Sequence, residues 1–382
     1  MGQNMRQSTR GQVDPFIVMD VMDAAARAEA QGRHIIHMEV GQPGTPAPAG
    51  ARAALARALE QPLGYTVALG LPRLRQGIAG LYRRWYGVDL DPERVVVTTG
   101  SSGAFVLAFS ALFDAGDRVA IGAPGYPSYR QIMRAMSLEP VTILTRMEHR
   151  FQPLPDEIPS DVHGLMLASP GNPSGTMLSL HDLRALIARV QELGVSVISD
   201  EIYHGLSYGE RAHSALEVSD DVFVINSFSK YFSMTGWRIG WMIVPPSHLR
   251  TVERLAQNFF ICPPHASQVA ALAALDCDDE AQSNLAVYAK NRALMLDGLP
   301  KAGFDRIAPP DGAFYVYADV SALTEDSAGF AAEILERAGV AVTPGLDFDA
   351  ARGAQTLRFS YARGTEDIVE GLRRLQEFMA SR

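Results

Sequence analysis

Apolar residues first recur at helical spacing. Phe16, Ile17, Met19, Val21, Met22 and Ala25 supply the apolar positions of a stretch over 13–31, which predicts an amphipathic helix stopped by Gly32. Ile35 to Val40 then reads as a strand, and Gly41-Gln42-Pro43-Gly44-Thr45-Pro46 forces a loop. Helices are predicted near 49–60 and over 72–87, the second opened by Pro72. Between 94 and 244 short apolar runs alternate with helical segments. The runs predict strands at 95–98, 118–121, 140–144, 163–168, 195–199, 222–226 and 240–244. The segments predict helices at 102–112, 126–136 and 179–193. Ser179-x-x-Asp182 at the head of the last helix has the form of a capping box.

This alternation predicts an α/β domain on a mainly parallel central sheet covered on both faces. Past 245 the pattern changes. Helices are predicted at 247–258, 265–276, 279–301, 327–338 and 365–380, and strands at 304–307, 313–319, 340–342 and 356–360. That is an α+β layout and a second, smaller domain. The expected division is an N-terminal segment (1–45) packing with the small domain, a large domain (46–277) and a small C-terminal domain (278–382).

Bulk properties narrow the function. At 382 residues the chain is too long for one small core. The composition, 47% hydrophobic and 20% charged, is that of an ordinary globular protein. A formal charge of −9 without any basic run argues against nucleic-acid binding. No apolar stretch approaches the ~20 residues of a membrane span, and the polar N-terminus lacks the apolar centre of a signal peptide. Two cysteines, Cys262 and Cys277, are too few for a disulfide framework and carry no CxxC spacing. A cytoplasmic location and no metal site are expected.

In a parallel sheet, ligands sit at the carboxyl ends of the strands. The first such end carries Thr99-Gly100-Ser101-Ser102-Gly103, small enough for helix amides to approach an anion, though an ordinary N-cap reads equally well. The next places Tyr126 after a Pro-Gly turn, displayed or merely packed. Ser169-Pro170-Gly171-Asn172-Pro173-Ser174-Gly175 is a stiff loop around one amide, or else a tight connection. Asp200 ends an apolar strand, where a carboxylate needs a partner; Arg184 or Arg189 would be a structural one.

The stretch from Ser227 to Gly240 lies between two apolar runs, which predicts a strand, a polar loop and a return strand. It holds Lys230. Lysine is scarce here: only Lys230, Lys290 and Lys301 occur among 34 basic residues. An amine where the chain otherwise prefers guanidinium suggests imine chemistry, although a lysine flanking a strand can simply be solvated. Arg358, between Leu357 and Phe359, is a candidate anion clamp or an outward-facing edge residue. Gly41 and Tyr65 are open to either a structural or a ligand-facing role.

Together these motifs resemble the class I/II aminotransferases of fold type I, which depend on pyridoxal 5′-phosphate. The resemblance covers nearly the whole chain. Its most specific parts are Pro170 to Gly175, Ser199-Asp200-Glu201-Ile202-Tyr203, and Ser227-x-Ser-Lys230 with Arg238 eight residues on. It implies that Lys230 holds the cofactor as an aldimine and later moves the substrate proton. Asp200 would pair with the pyridine nitrogen, Asn172 and Tyr203 would serve the ring oxygen, and Tyr126 would stack on the ring. Ser101, Ser102, Ser227 and Arg238 would hold the phosphate. Arg358 would grip the substrate carboxylate, with Gly41 nearby. Tyr65 would reach the phosphate of a neighbouring subunit, which implies a homodimer with shared sites. The expected activity, in amino-acid metabolism, is ping-pong transfer of an amino group from an L-amino acid to a 2-oxo acid.

The loop after Gly41 departs from many relatives, which carry an acidic residue and then a Phe. Ser-Ser-Gly in the phosphate loop also departs. Both leave the preferred amino acid open. The nearest alternative is a carbon–sulfur lyase using the same cofactor. A regulator on this fold would need an added DNA-binding module, and a dehydrogenase would need a glycine fingerprint in its first βαβ unit.

Overall fold

The computed structural model describes residues 5–382. In chain order the elements are α1 (Ile17–Ala30), β1 (Ile36–His37), α2 (Ala49–Ala58), α3 (Pro72–Tyr86), β2 (Val95–Thr98), α4 (Gly100–Leu112), β3 (Arg118–Ala123), α5 (Pro127–Ala135), β4 (Glu139–Leu144) and β5 (Gly164–Ala168). There follow α6 (Leu180–Leu193), β6 (Ser196–Asp200), β7 (Phe223–Ser227), β8 (Gly240–Ile243), α7 (Leu249–Phe259), α8 (His265–Ala274) and α9 (Asp278–Lys301). The chain finishes with β9 (Arg306–Ile307), β10 (Tyr315–Asp319), α10 (Ser327–Ala338), β11 (Val340–Ala341), β12 (Thr343–Pro344), β13 (Thr356–Ser360) and α11 (Thr365–Ala380).

The central sheet has seven strands in the order β2-β8-β7-β6-β5-β3-β4. Neighbours from β7 to β4 are parallel. The β8 strand is antiparallel to both β7 and β2, as expected of a strand returning after a polar loop. Successive side chains enter opposite cores. Val197, Val224 and Trp241 join one cluster, and Ile198, Ile225 and Met242 join the other. With both faces buried, the strands read as continuous apolar runs rather than alternating ones. A second sheet, β12-β13-β10-β9, is wholly antiparallel.

Helix ends follow local chemistry. Pro72 starts α3, and Gly87 closes it at φ 71°. Ser179 caps α6 by accepting the Asp182 amide at 3.1 Å. The reciprocal half of a capping box is replaced: Ser179 Oγ donates to Asp182 Oδ2 at 2.6 Å.

Three expectations shift. The first helix starts at Ile17, not 13, because Phe16 stays extended and a distant carboxylate caps it: the Ile17 and Val18 amides donate to Asp347 at 3.1 and 3.2 Å. The strand over 35–40 contracts to Ile36–His37, which pairs parallel with β11. Beyond Met38 the backbone carbonyls turn to side chains of the site instead. The 340–342 strand shortens to β11, which pairs to β1, and a further strand not expected from the sequence, β12 just past Val342, pairs to β13.

Candidate active site

The ends of β2, β5, β6 and β7 and the start of β8 meet at one edge of the sheet. A cavity of about 230 Å³ opens there, lined by Gly41, Ser101, Ser102, Asn172, Asp200 and Lys230 among others. Lys230 follows β7, and its Nζ donates to the Gly41 carbonyl at 2.6 Å. Burial, then the positive charges of Arg358 and Arg238, bring this amine down to about 8; Asp200 opposes the shift. A lysine at that value is a nucleophile and proton carrier near neutral pH.

Asp200 ends β6 and is 4% exposed. Burial raises its carboxyl to about 6, against the Tyr129 hydroxyl, the Ile202 amide and the Lys230 charge. Tyr129 Oη donates to Oδ2, and the Ile202 amide donates to Oδ1 at 3.0 Å. Neither Arg184 nor Arg189 serves it; Arg189 pairs with Glu192 on its own helix. The Asp200 charge is therefore held by neutral donors and left able to meet a cationic ligand.

An anion cradle lies beside them. Gly100 takes φ +68° at the head of α4, and a Cβ there would fall 2.6 Å from Arg238 Nη2. A Cβ on Gly240 would fall 3.1 Å from the Ser101 amide. The two glycines keep guanidinium and helix N-terminus close together, a pairing suited to a phosphate dianion. Ser227 lies behind this cradle. Its Oγ is 2.8 Å from Ser229 Oγ and 3.0 Å from the Ile239 carbonyl, and Ser229 takes the place on the cavity wall.

Arg358 reaches the cavity from β13, which is flanked by β12 and β10 and is not an edge. It is buried, and its Nη1 donates to Asn172 Oδ1 at 2.9 Å. Nη2 donates to the Glu39 carbonyl, with Thr343 Oγ1 at 3.2 Å. Its guanidinium lies 4.5 Å from the Tyr315 ring centre and 4.7 Å from that of Phe348. A guanidinium so clamped is aimed without freedom, which suits recognition of a carboxylate.

Of the residues singled out in the sequence, Gly41, Ser101, Ser102, Tyr126, Asn172, Asp200, Tyr203, Lys230, Arg238 and Arg358 line this one cavity. Tyr65 does not; it is 83% exposed on a surface loop. Sequence reasoning missed Tyr129 and Tyr315. Tyr129 follows Tyr126 by one helical turn, and that spacing was a usable signal. Tyr315 gave none, because its place depends on the pairing of β10. It hydrogen-bonds Tyr203 at 2.8 Å between hydroxyls, and a Cβ on Gly41 would fall 1.7 Å from its oxygen.

A near-neutral amine beside an anion cradle and a carboxylate clamp narrows the class to enzymes that handle the amino groups of small acids. Within it, the chain belongs to the aminotransferases of class I and II: residues 33–375 match that family model. Relatives agree. The valine–pyruvate aminotransferase of Mycobacterium tuberculosis is 48% identical over 384 residues, covering 98% of this chain and 99% of that one. A crystal structure from Silicibacter pomeroyi has 68% identity and a TM-score of 0.95, covering 99% of this chain and 100% of that one. Thermus thermophilus aspartate aminotransferase with maleate has 32% identity and a TM-score of 0.91, covering 98% and 100%. The protein is an aminotransferase of this fold.

Proposed function

We propose that this aminotransferase works with pyridoxal 5′-phosphate attached at Lys230, and that an L-amino acid and a 2-oxo acid use its cavity in turn. The observation that carries the reading is the near-neutral Lys230 amine sharing one cavity with buried Asp200 and the Arg238 cradle. The residues fit the cofactor. The close approach of Arg238 to the head of α4, which Gly100 and Gly240 permit, suits its phosphate. Asn172 gives its carbonyl oxygen to Arg358, so its amide NH2 is the group left to donate to the ring oxygen, beside the Tyr203 hydroxyl.

When bound, pyridoxal phosphate supplies an aldehyde carbon and a ring that accepts electrons from the substrate Cα. Asp200 would hold the pyridine nitrogen protonated, and Tyr126 would pack on the ring. Ser101, Ser102, Ser229 and Arg238 would bind the phosphate, with Ser227 supporting Ser229. Arg358 would fix the substrate carboxylate, and the Lys230 amine would be the group that accepts and carries the Cα proton.

The same reading includes a homodimer in which Tyr65 reaches the partner's phosphate. Its support is the exposure of Tyr65 and Val67 on one loop and of Phe259 and Ile261 at and just past the end of α7. The threefold division at 45 and 277 belongs to it as well, supported by the β1–β11 pair and the Asp347 cap on α1. So does a cytoplasmic location, in keeping with the free Cys262 and Cys277. Among the described residues no helix is long and apolar enough to cross a membrane.

The test is the visible absorption of the purified protein, alone and with L-amino acids but no acceptor. A yellow protein bleached by some of them, and a Lys230→Ala variant without turnover, are expected. A colourless protein that cannot be loaded with pyridoxal phosphate would reject the reading. Persistent colour with pyruvate accumulating would point to elimination.

A further inference from the structure

The cavity contains more wall than the cofactor and an α-carboxylate require. Phe16, Val18, Met19 and Met22 of α1 and its approach face it, with Val40 and Ile202. All six are apolar. Its charged lining residues are Lys230, Asp200, Arg238 and Arg358. On the reading above, which this inference takes as its base, all four are engaged by the cofactor and the substrate's own carboxylate. Neither guanidinium of the adjoining α5 lines the cavity: Arg134 Nη1 meets Asp14 Oδ2 at 2.7 Å, and Arg130 stays outside the lining, its cationic form disfavoured by burial and then by Arg134.

The apolar wall is fixed in place. Asp347 takes the first amides of α1, and Asp14 fastens the preceding segment to Arg134 and to Gln131, whose Nε2 donates to it at 3.0 Å. The Phe16 ring stands edge-on to Tyr126 with 5.9 Å between centres. Phe16 is thereby set against the residue proposed to cover the cofactor ring.

We infer that α1 is the side-chain selector of this enzyme, and that it selects amino acids with apolar side chains over dicarboxylic ones. A second carboxylate entering the cavity would lose water and find no further cation among the described lining residues, a large penalty for a charged group. A branched or unbranched aliphatic side chain would instead bury its surface against Phe16, Met19 and Met22. Met19 is half exposed, so it forms the rim of the wall and tolerates substitution without loss of core packing.

The experiment compares the pyridoxal-phosphate-loaded enzyme with L-valine, L-leucine and L-methionine against L-aspartate and L-glutamate. Calorimetric titration with 4-methylpentanoate and with succinate, which lack the amine, reads the same preference without turnover. Wild type is expected to favour the apolar donors by ~100-fold in kcat/KM, and to bind 4-methylpentanoate more tightly than succinate. Met19→Arg is expected to narrow both gaps at least about tenfold, by gain with the dicarboxylates. Equal or better use of aspartate or glutamate by wild type would overturn the inference while leaving the aminotransferase reading intact. A Met19→Arg variant with unchanged selectivity would overturn the role of α1. A protein that exchanges no amino group with any donor would fail the underlying reading, and the carboxylate titrations would still decide this one.

Discussion

Asp200 shows how a single side chain can be tuned by a neighbour that sequence inspection passed over. Burial lifts its carboxyl, and Tyr129 pulls it back. Tyr129→Phe removes that donor and leaves the Ile202 amide alone on the carboxylate. The expected result is a carboxyl raised further above about 6. The acid limb of the rate profile, which needs the carboxylate ionised, should then move to higher pH. A fall of tenfold to about a hundredfold in kcat is also expected, matching ~1–3 kcal/mol for a lost buried partner. A pH profile of the variant against wild type checks both. An unmoved acid limb would show that Tyr129 serves only packing.

Elements show what was legible in the sequence and what was not. The β7–loop–β8 unit was legible because apolar runs flank a polar loop. The seven central strands were legible because each carries a short apolar run, the inner ones buried on both faces and the edge strand β4 only in part. The change from β11 to β12 was not, since two residue pairs separated only by Val342 take different partners without a break in composition. The α1 start was hidden because its cap, Asp347, lies 330 residues away. Among the side chains at strand ends, Asp200 drew attention while its neighbour Glu201 did not, although Glu201 is equally buried. Glu201 ties the end of β6 to the turn at 214–217. Its Oε1 accepts from Ser214 Oγ at 3.1 Å and the Ala215 amide at 2.8 Å, while its buried Oε2 has no hydrogen-bond partner among the described residues, His204 Nδ1 lying 3.5 Å away. Burial raises this carboxyl from 4.5 to about 8, so the folded chain keeps a proton there that the unfolded chain has released. Its contribution to stability is complete below pH 4.5 and is lost as pH rises through about 8. Glu201→Gln keeps a neutral group at all pH. Its Tm relative to wild type is expected to rise by roughly 2 °C or more between pH 5 and pH 8.5. Parallel calorimetric scans would check this, and a constant difference would place the proton elsewhere.

The whole molecule has a side that a monomer leaves uncovered. Leu59, Tyr65, Val67, Phe259 and Ile261 are exposed, and their loops are tied together by Thr66 to Cys262 at 3.4 Å and by His265 to Gly64 at 2.9 Å. The proposed homodimer covers these residues and brings Tyr65 to the neighbouring cradle. Phe259→Glu is expected to shift the assembly to monomer in sedimentation equilibrium and to weaken cofactor retention with it. Tyr65→Phe should leave the dimer intact and weaken cofactor binding alone. A wild-type monomer that holds cofactor fully would remove the shared site.

The scarcity of lysine reaches beyond chemistry at the site. Apart from Lys230, the side-chain amines are Lys290 and Lys301, both exposed and both on α9. Eleven residues separate them, close to three full helical turns, so they leave the helix on nearly the same face. With the N-terminal amine blocked, an amine-reactive support would grasp each subunit by that one ridge. The immobilised enzyme would then be held in a few defined orientations rather than at random.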